Sequence, residues 1–167
     1  MNEILLIVDL QPNFSPPEWV ITRVQRLAGL MPSVATVIRH NEAIVPFDRQ
    51  LNWVPNEDDE SIVKADRVFI KYGYLPPSEL MDYLATCKPE RVLVCGIQAE
   101  TCVLAAGFAL FDAGLNPTLI GDAVIGSSLD KSGRKGIELW EHHFGQIIHD
   151  HQTILDQYSS SNQADTF

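Results

Sequence analysis

The sequence has no apolar run long enough to cross a membrane. Its first apolar stretch, Ile4–Val8, is far shorter than the roughly 20 residues that a spanning helix requires. No basic segment precedes this stretch, so it does not have the pattern of a signal peptide. We therefore expect a cytoplasmic protein that neither enters nor binds a membrane.

Cysteine is scarce, and its number is odd. The chain has three cysteines, Cys87, Cys95 and Cys102. Disulfide-stapled secreted domains have a much higher density of cysteine. We expect free thiols in a reducing compartment.

Basic residues are also few. Twelve Lys and Arg stand against 22 Asp and Glu, which gives a formal net charge of −10 at pH 7. Because nucleic acids and anionic membranes repel such a surface, neither is expected as the main partner. The glycines do not form a Gly-x-Gly-x-x-Gly fingerprint between a strand and a helix, so no nicotinamide or flavin cofactor is predicted.

Short apolar runs alternate with segments of helical periodicity. Six runs read as strands: Ile4–Leu10, Val34–Arg39, Val68–Lys71, Val92–Gly96, Pro117–Ile120 and Gln146–His149. Four segments read as helices: Trp19–Met31, Ser78–Cys87, Thr101–Ala113 and Lys131–Phe144. Strands that are apolar throughout are buried on both faces, so the pattern predicts an α/β fold with three layers, α/β/α, around a mainly parallel sheet.

The length and the 46% hydrophobic content are sufficient for one compact domain. We place this domain at residues 1–158 and interpret the polar, serine-rich residues 159–167 as a flexible tail. Residues 40–66 are long, polar and irregular in pattern, which is typical either of a lid or binding loop or of disorder.

Reactive side chains follow three of the predicted strands. Asp9 and Lys71 stand at the ends of the first and third strands, and Cys102 lies in the first turn of the helix after the fourth. Open α/β sheets bind ligands at the carboxyl ends of their strands, so we expect the three groups to converge there. Taken singly, each has a plainer interpretation: a core cysteine, a helix cap or metal ligand, and a solvated strand end.

The three groups suit one another chemically. A helix N-terminus and a nearby ammonium both favour the thiolate of Cys102, which is the nucleophilic form. Asp9 can take the thiol proton and pass it to a leaving group. Backbone N–H groups near Gln98 and Cys102 are suited to hold a developing oxyanion.

Two segments resemble those of a known family. These are Leu5-Leu6-Ile7-Val8-Asp9-Leu10-Gln11-Pro12-Asn13-Phe14 and Val94-Cys95-Gly96-Ile97-Gln98-Ala99-Glu100-Thr101-Cys102-Val103. They are similar to the opening and the nucleophile segment of the isochorismatase-like cysteine hydrolases, and the resemblance spans nearly the whole chain. The stretches Phe69-Ile70-Lys71-Tyr72 and Gly121-Asp122-Ala123-Val124 fit the same pattern.

The resemblance implies a strand order of 3-2-1-4-5-6 and a catalytic triad of Asp9, Lys71 and Cys102. It further implies that Phe14 lines the substrate pocket, that the Ile97–Gln98 peptide is cis, and that the N–H groups of Gln98 and Cys102 form the oxyanion hole. Relatives assemble as homodimers or homotetramers, and the same is expected here.

Two departures from family patterns bear on the substrate. Nicotinamidases carry an Asp-x-His pair and a further histidine that bind a metal, whereas here residues 39–42 read Arg-His-Asn-Glu, so no metal is predicted. True isochorismatases usually lack the cysteine, so Cys102 favours cleavage of a carbon–nitrogen bond in a small amide or ureido compound through an acyl-enzyme. Vinyl-ether hydrolysis by Asp9 alone, or a ligand-binding member without catalysis, are the alternatives.

A few further residues are candidates for the site. His40, after the second strand, is a candidate substrate contact, and Trp53, Tyr72 and Tyr74 can line an aromatic pocket or pack elsewhere. In His149-Asp150-His151, alternation along a strand separates the aspartate from the two histidines. Two ligands are too few, so no metal is predicted there either.

Overall fold

The computed structural model describes residues 2–164. Its centre is a six-stranded, all-parallel sheet with the order β3-β2-β1-β4-β5-β6, which confirms the predicted fold class and strand order. The strands are β1 (Glu3–Val8), β2 (Ser33–Ile38), β3 (Arg67–Lys71), β4 (Arg91–Ile97), β5 (Pro117–Ile125) and β6 (Ile147–Ile148).

Helices cover both faces of the sheet. They are α1 (Glu18–Ala28), α2 (Phe47–Leu51), α3 (Ser78–Cys87), α4 (Cys102–Asp112), α5 (Arg134–Phe144) and α6 (Gln152–Ala164), with a 3-10 turn at Pro12–Phe14. No helix in the described part of the chain is long and apolar enough to span a bilayer.

Side chains of the sheet divide between two cores by simple alternation. In β1, Leu6 and Val8 pack on the side of α3, α4 and α5, while Leu5 and Ile7 pack on the side of α1 and α6. All six residues of β1 and of β2 are buried, because helices lie on both faces. This burial on both faces of the sheet explains why the strands are continuous apolar runs in the sequence.

The C-terminal part of the chain differs from the sequence-based interpretation. Strand β6 is limited to Ile147–Ile148, within the predicted Gln146–His149. Residues 159–164, assigned above to a flexible tail, continue α6, while residues 165–167 lie outside the described part of the chain. The helix is mostly polar, and only Ile154 and Leu155 of its first turns are buried against the sheet. Tyr158 adds a hydrogen bond from its hydroxyl to Oε2 of Glu3 (2.9 Å).

Gly96 holds β4 close to β1 at the edge that carries the site. Its φ is +110°, a conformation that L side chains rarely adopt. A Cβ atom at this position would lie 2.2 Å from the carbonyl oxygen of Val8, the residue before Asp9. The glycine therefore permits the close approach that brings the ends of the two strands together.

Candidate active site

Asp9, Lys71 and Cys102 lie together at the carboxyl edge of the sheet. Asp9 follows β1 with a left-handed φ of +47°, Lys71 is the last residue of β3, and Cys102 is the first residue of α4. All three are buried, with residue exposures of 0%, 3% and 5%. Because β1 is flanked by β2 and β4, its end lies between the other two groups.

Lys71 forms a buried ion pair with Asp9. The Nζ atom lies 2.9 Å from Oδ2 of Asp9 and donates a hydrogen bond to the carbonyl oxygen of Tyr74 at 2.9 Å. Burial acts to lower the pKa of Lys71, but the Asp9 carboxylate and Cys102 outweigh it, so this pKa is raised above its ordinary value. The side chain is therefore an ammonium at neutral pH.

Thr36 fixes the other oxygen of the Asp9 carboxylate. Its hydroxyl donates to Oδ1 at 2.8 Å, and the N–H of Asp9 donates back to the carbonyl oxygen of Thr36 at 3.1 Å. Thr36 lies on β2 directly beside Val8 in the parallel register. Thr36 is not among the site residues predicted from sequence, although it is a polar residue among mostly apolar, buried ones in β2.

The thiol of Cys102 completes the cluster in its protonated form. Burial raises the pKa of Cys102 to about 12, with a further increase from the Asp9 carboxylate and an opposing effect of the Lys71 ammonium. The Lys71 ammonium favours the thiolate, as expected from the sequence, but the effects of burial and of Asp9 on the pKa are larger. The sulfur is buried beside the carboxylate, so desolvation outweighs the attraction of the ammonium.

The backbone before Cys102 is held in a tight turn. The Ile97–Gln98 peptide bond is cis. The N–H of Ala99 donates to the carbonyl oxygen of Ile125 at 2.8 Å, and the N–H of Thr101 donates to that of Gln98 at 3.0 Å. Within the described residues, the N–H groups of Gln98 and Cys102 donate no hydrogen bond, so both are free to bind a ligand atom.

Cys102 lies in a pocket of about 410 Å³, a volume in the range of small-molecule sites. Four aromatic rings form one side of this pocket, Phe14 as predicted and also Phe47, Trp53 and Tyr74. Their ring centroids are 5.5 to 6.0 Å apart in successive pairs, the spacing of packed aromatic side chains. The other lining residues are Asn13, Ile38, Gln98, Thr101, Ser127 and Ser128.

The long segment 40–66 supplies two of the four aromatic rings, Phe47 and Trp53. Asp59 is its anchor: Oδ2 accepts hydrogen bonds from the N–H of Asn13 (2.7 Å) and from Nε2 of Gln11 (3.2 Å), and Oδ1 accepts from Nδ2 of Asn56 (3.0 Å). These bonds outweigh the effect of burial and lower the pKa of Asp59. The buried carboxylate thus ties the segment bearing Trp53 to the end of β1.

A second loop brings Ser127 and Ser128 to the pocket. Oε1 of Glu100, two residues before Cys102, accepts a hydrogen bond from the N–H of Ser127 at 2.9 Å. Its Oε2 is buried without a partner among the described residues. The serines therefore take their position from the same turn that carries the sulfur.

His40 and Tyr72, predicted as pocket residues, do not reach this pocket. Both line a separate polar depression together with Glu42. Nε2 of His40 lies 3.7 Å from Oε2 of Glu42. Tyr72 directly follows Lys71, and the chain turns so that Tyr74, not Tyr72, borders Cys102. Strand β3 ends at Lys71 as predicted, but the path of the turn at residues 72–74 was not predicted.

The residues after β2 do not fit the metal site of nicotinamidases. Arg39 donates to the carbonyl oxygen of Asp59 (3.0 Å), and His40, which lies 3.7 Å from Glu42, belongs to no group of three possible ligands among residues 2–164. In the described part of the chain, one group of three possible ligands lies within 4.8 Å, formed by Asp122, Asp150 and His151. It does not include any residue of the Cys102 pocket.

That group has a structural explanation. Strand β6 ends at Ile148, so the strand alternation assumed for His149 and His151 does not apply. Asp122 accepts from the N–H and from Nδ1 of His151 at 2.9 and 2.7 Å, and it lies beside Arg23. These contacts fasten the start of α6 to β5.

Known proteins share both the sequence pattern and the fold. A model of the isochorismatase domain matches residues 3–152. Among curated proteins, no sequence gives a significant match. A nicotinamidase/pyrazinamidase from Acinetobacter baumanii superimposes with a TM-score of 0.75 at 18% identity, covering 92% of this chain and 98% of that chain.

Two further solved structures are similar. The pyrazinamidase of Pyrococcus horikoshii, determined in complex with zinc, has a TM-score of 0.75 at 22% identity and covers 89% of this chain and 99% of its own. A cysteine hydrolase from Pseudomonas syringae pv. phaseolicola has a TM-score of 0.74 at 15% identity, with 95% and 93% covered. Together with the domain match over residues 3–152, they lead to one conclusion: this chain belongs to the isochorismatase family.

Proposed function

We propose that the protein is a cysteine hydrolase that cleaves a carbon–nitrogen bond in a small amide or ureido compound. The observation that carries this proposal is the contact of the Cys102 thiol with the buried Asp9–Lys71 ion pair, at the floor of an open pocket. A buried pair of charges is costly unless it is well satisfied, and a fold has little structural reason to place a thiol against one. The names of the similar structures, a cysteine hydrolase and two amidases, agree with this chemistry.

The resting cluster shares one acidic proton between sulfur and carboxylate. With the proton on Cys102, Asp9 is charged; with the proton on Asp9, the sulfur is charged. Lys71 compensates one negative charge in both cases, so the net charge of the cluster does not change. Transfer of the proton to Asp9 therefore needs no change in the charge of this buried site.

In the first half of the reaction, the Cys102 sulfur adds to the substrate carbonyl carbon while Asp9 takes the thiol proton. The N–H groups of Gln98 and Cys102 receive the negative charge that develops on the carbonyl oxygen. Asp9 then gives the proton to the nitrogen, the carbon–nitrogen bond breaks, and the amine or ammonia leaves. A thioester on Cys102 remains.

In the second half, water replaces the amine. Asp9 takes a proton from water as the water oxygen adds to the thioester carbon, and the carbon–sulfur bond breaks with the proton returned to sulfur. The acid is released and the cluster is restored. Lys71 keeps one positive charge beside these steps, stabilising whichever of Asp9 and Cys102 is negative.

The proposal is tested with a panel of small amides, carbamoyl compounds and isochorismate, following product release. Cys102→Ser should reduce turnover of any substrate found by at least about a thousandfold, since an alcohol is far less nucleophilic than a thiol. Cys87→Ser is the matched control, because Cys87 lies outside the pocket on α3 and its replacement should leave turnover unchanged.

Three outcomes of this panel would contradict the proposal. Release of product from isochorismate that survives replacement of Cys102 would identify vinyl-ether hydrolysis that depends on Asp9 without the thiol. Full turnover of an amide by Cys102→Ser would rule out covalent catalysis by this residue. Binding of panel members without any turnover would instead favour a ligand-binding member of the fold.

A further inference from the structure

We infer that the Cys102 pocket selects uncharged substrates and rejects those that carry a carboxylate next to the scissile bond. This inference rests on the proposed function and narrows it to neutral amides. It follows from three observations on the charges in and around the pocket: the uncharged lining residues, the ion pair of Lys71 with Asp9, and the contacts that hold Arg39 and Arg49.

The first observation is the absence of charge from the pocket wall. Its eleven described lining residues are aromatic, aliphatic, hydroxyl, amide or thiol side chains, and none is acidic or basic. Hydroxyl and amide groups of Asn13, Thr101, Ser127 and Ser128 can bond to neutral polar groups of a ligand. They cannot neutralise an anion, and a carboxylate removed from water without a cation is strongly disfavoured.

The second observation is that Lys71, the buried cation beside the pocket, already has its charge matched. Its Nζ donates a hydrogen bond to the carbonyl oxygen of Tyr74 and lies 2.9 Å from Oδ2 of Asp9. Asp9 and Cys102 both act to raise the pKa of this lysine. Its charge is matched by the single negative charge shared between Asp9 and Cys102, so the cluster as a whole offers no positive field to an anionic ligand.

The third observation concerns Arg39 and Arg49, the two arginines in or directly before the segment 40–66 that supplies Phe47 and Trp53 to the pocket. The guanidinium of Arg49 is paired with Glu42 at 3.2 Å, and that of Arg39 donates to the carbonyl oxygen of Asp59 at 3.0 Å. Neither lines the Cys102 pocket. The formal net charge of −10 adds a general repulsion of anions.

The class of substrate follows from these charges. Amides and ureido compounds without a carboxylate, such as those with a flat apolar group that packs on Phe14 and Trp53, meet complementary walls. Carbamoyl amino acids and isochorismate carry carboxylates, and no lining residue of the pocket has a positive charge to pair with them. The selection acts through desolvation of the anion and not through the size of the ligand.

Alkylation of Cys102 by iodoacetamide and iodoacetate measures this selection without a known substrate. The two reagents are similar in size, and both form a carbon–sulfur bond as iodide leaves and the thiol proton passes to Asp9 or water. Because they attack the same sulfur, its pKa cancels in the ratio of their rates. Rates at Cys102 are read from its peptide by mass spectrometry and compared with 2-mercaptoethanol, a neutral free thiol.

We expect the rate ratio of iodoacetamide to iodoacetate to be at least about tenfold higher at Cys102 than at 2-mercaptoethanol, because only the anion loses its hydration. The excess should persist at about 0.5 M salt, where the Debye length is roughly 4 Å and the repulsion by the net charge is screened. A ratio equal to or below that of 2-mercaptoethanol would overturn the inference.

A pair of variants tests the cause. Ser128→Lys adds a cation at an exposed position that lines the pocket, and it should lower the ratio toward that of 2-mercaptoethanol, while Ser128→Gln, of similar length, should not. An unchanged ratio in Ser128→Lys would also overturn the inference.

These results separate the inference from the proposed function. If Cys102 reacts with both reagents at the ratio of 2-mercaptoethanol, the thiol is reactive and only the charge selection is wrong. If Cys102 reacts with neither reagent while Cys87 does, the proposed nucleophile is wrong, and the inference falls with it.

Discussion

Thr36 and Asp9, on neighbouring strands, are joined by a hydrogen bond of 2.8 Å from the threonine hydroxyl to Oδ1 of the carboxylate. The other oxygen, Oδ2, lies 2.9 Å from Nζ of Lys71. The two oxygens therefore have different partners, a hydroxyl and an ammonium. Thr36 orients the proton acceptor without touching the pocket itself.

Replacing Thr36 by valine, which has nearly the same shape, should remove this orientation. The Asp9 oxygen then lacks its donor in a buried site, which should lower the free energy of unfolding by about 1–3 kcal/mol and reduce kcat more than it changes KM. Thr36→Ser, which keeps the hydroxyl, should restore kcat. Urea unfolding and steady-state kinetics on a panel substrate check this, and a Thr36→Val variant equal to wild type in both would show that the bond has no such role.

Removal of the Lys71 charge should make the thiol harder to ionise. In Lys71→Met, burial and Asp9 still raise the pKa of Cys102 while the opposing effect of the ammonium is lost, so this pKa should rise further. The alkylation rate of Cys102 should then reach its plateau at higher pH than in wild type. Lys64→Met, at an exposed position, is the control.

Lys71→Met also leaves Asp9 as a buried charge without its partner. A loss of about 3–5 kcal/mol in the free energy of unfolding is expected, so circular dichroism must first show that the variant is folded. If the folded variant gives the wild-type pH profile of alkylation, Lys71 does not act on the thiol.

Loss of the Asp59 carboxylate should release the segment that carries Trp53. Asp59→Ala removes the acceptor for Gln11, Asn13 and Asn56, so amide hydrogen exchange of residues 52–60 should accelerate by at least about tenfold. Asp58→Ala, at the exposed neighbouring position, should not change the exchange rate. Equal exchange in the two variants would contradict the role of the anchor.

The same anchor predicts a dependence on pH. The pKa of Asp59 is lowered by folding, so its contribution is fully present above the ordinary value for aspartate and is lost as the pH falls through the lower, folded-state pKa. Exchange of residues 52–60 should therefore be slow at neutral pH, once corrected for the intrinsic rate, and should increase below about pH 4. In Asp59→Ala this acid-dependent increase should disappear.

Gly96 should not tolerate a side chain. Alanine at this position combines a φ of +110° with a Cβ atom 2.2 Å from the oxygen of Val8, and it should destabilise the fold by at least about 2 kcal/mol. Gly114→Ala is the matched control, since its φ is +71° and no atom lies within 4 Å of the added Cβ. Thermal unfolding should show a clearly larger loss for Gly96→Ala, and equal losses would show that the contact with β1 is not limiting.

The parts of the site that could be predicted from sequence are those at strand ends. Asp9 and Lys71 follow apolar runs, and parallel strands with helical connections must end at one edge of the sheet, so their meeting follows from the pattern. Thr36 could not be found in this way, because its role depends on the register between β1 and β2. Asp59 depends on the path of a long irregular segment, which has no periodicity to interpret.

The protonation state of Cys102 was harder to predict from sequence than its position in the fold. The sequence places a helix N-terminus and an ammonium beside Cys102, and both favour the thiolate. It does not show that Cys102 is buried, with a residue exposure of 5%, next to a carboxylate, and these two effects raise the pKa of Cys102 to about 12. Likewise the sequence pattern did not predict α6, because within residues 152–161 only Ile154 and Leu155 of this helix are buried.

The central claim is that the Cys102 sulfur becomes covalently bonded to the acyl part of the substrate. Its most direct test is to quench the enzyme with acid during turnover of an amide from the panel and to measure its intact mass and the mass of the Cys102 peptide. We predict an acyl adduct on Cys102, absent from Cys102→Ser and present in Cys87→Ser. Turnover without any adduct, and with undiminished rate in Cys102→Ser, would contradict the mechanism.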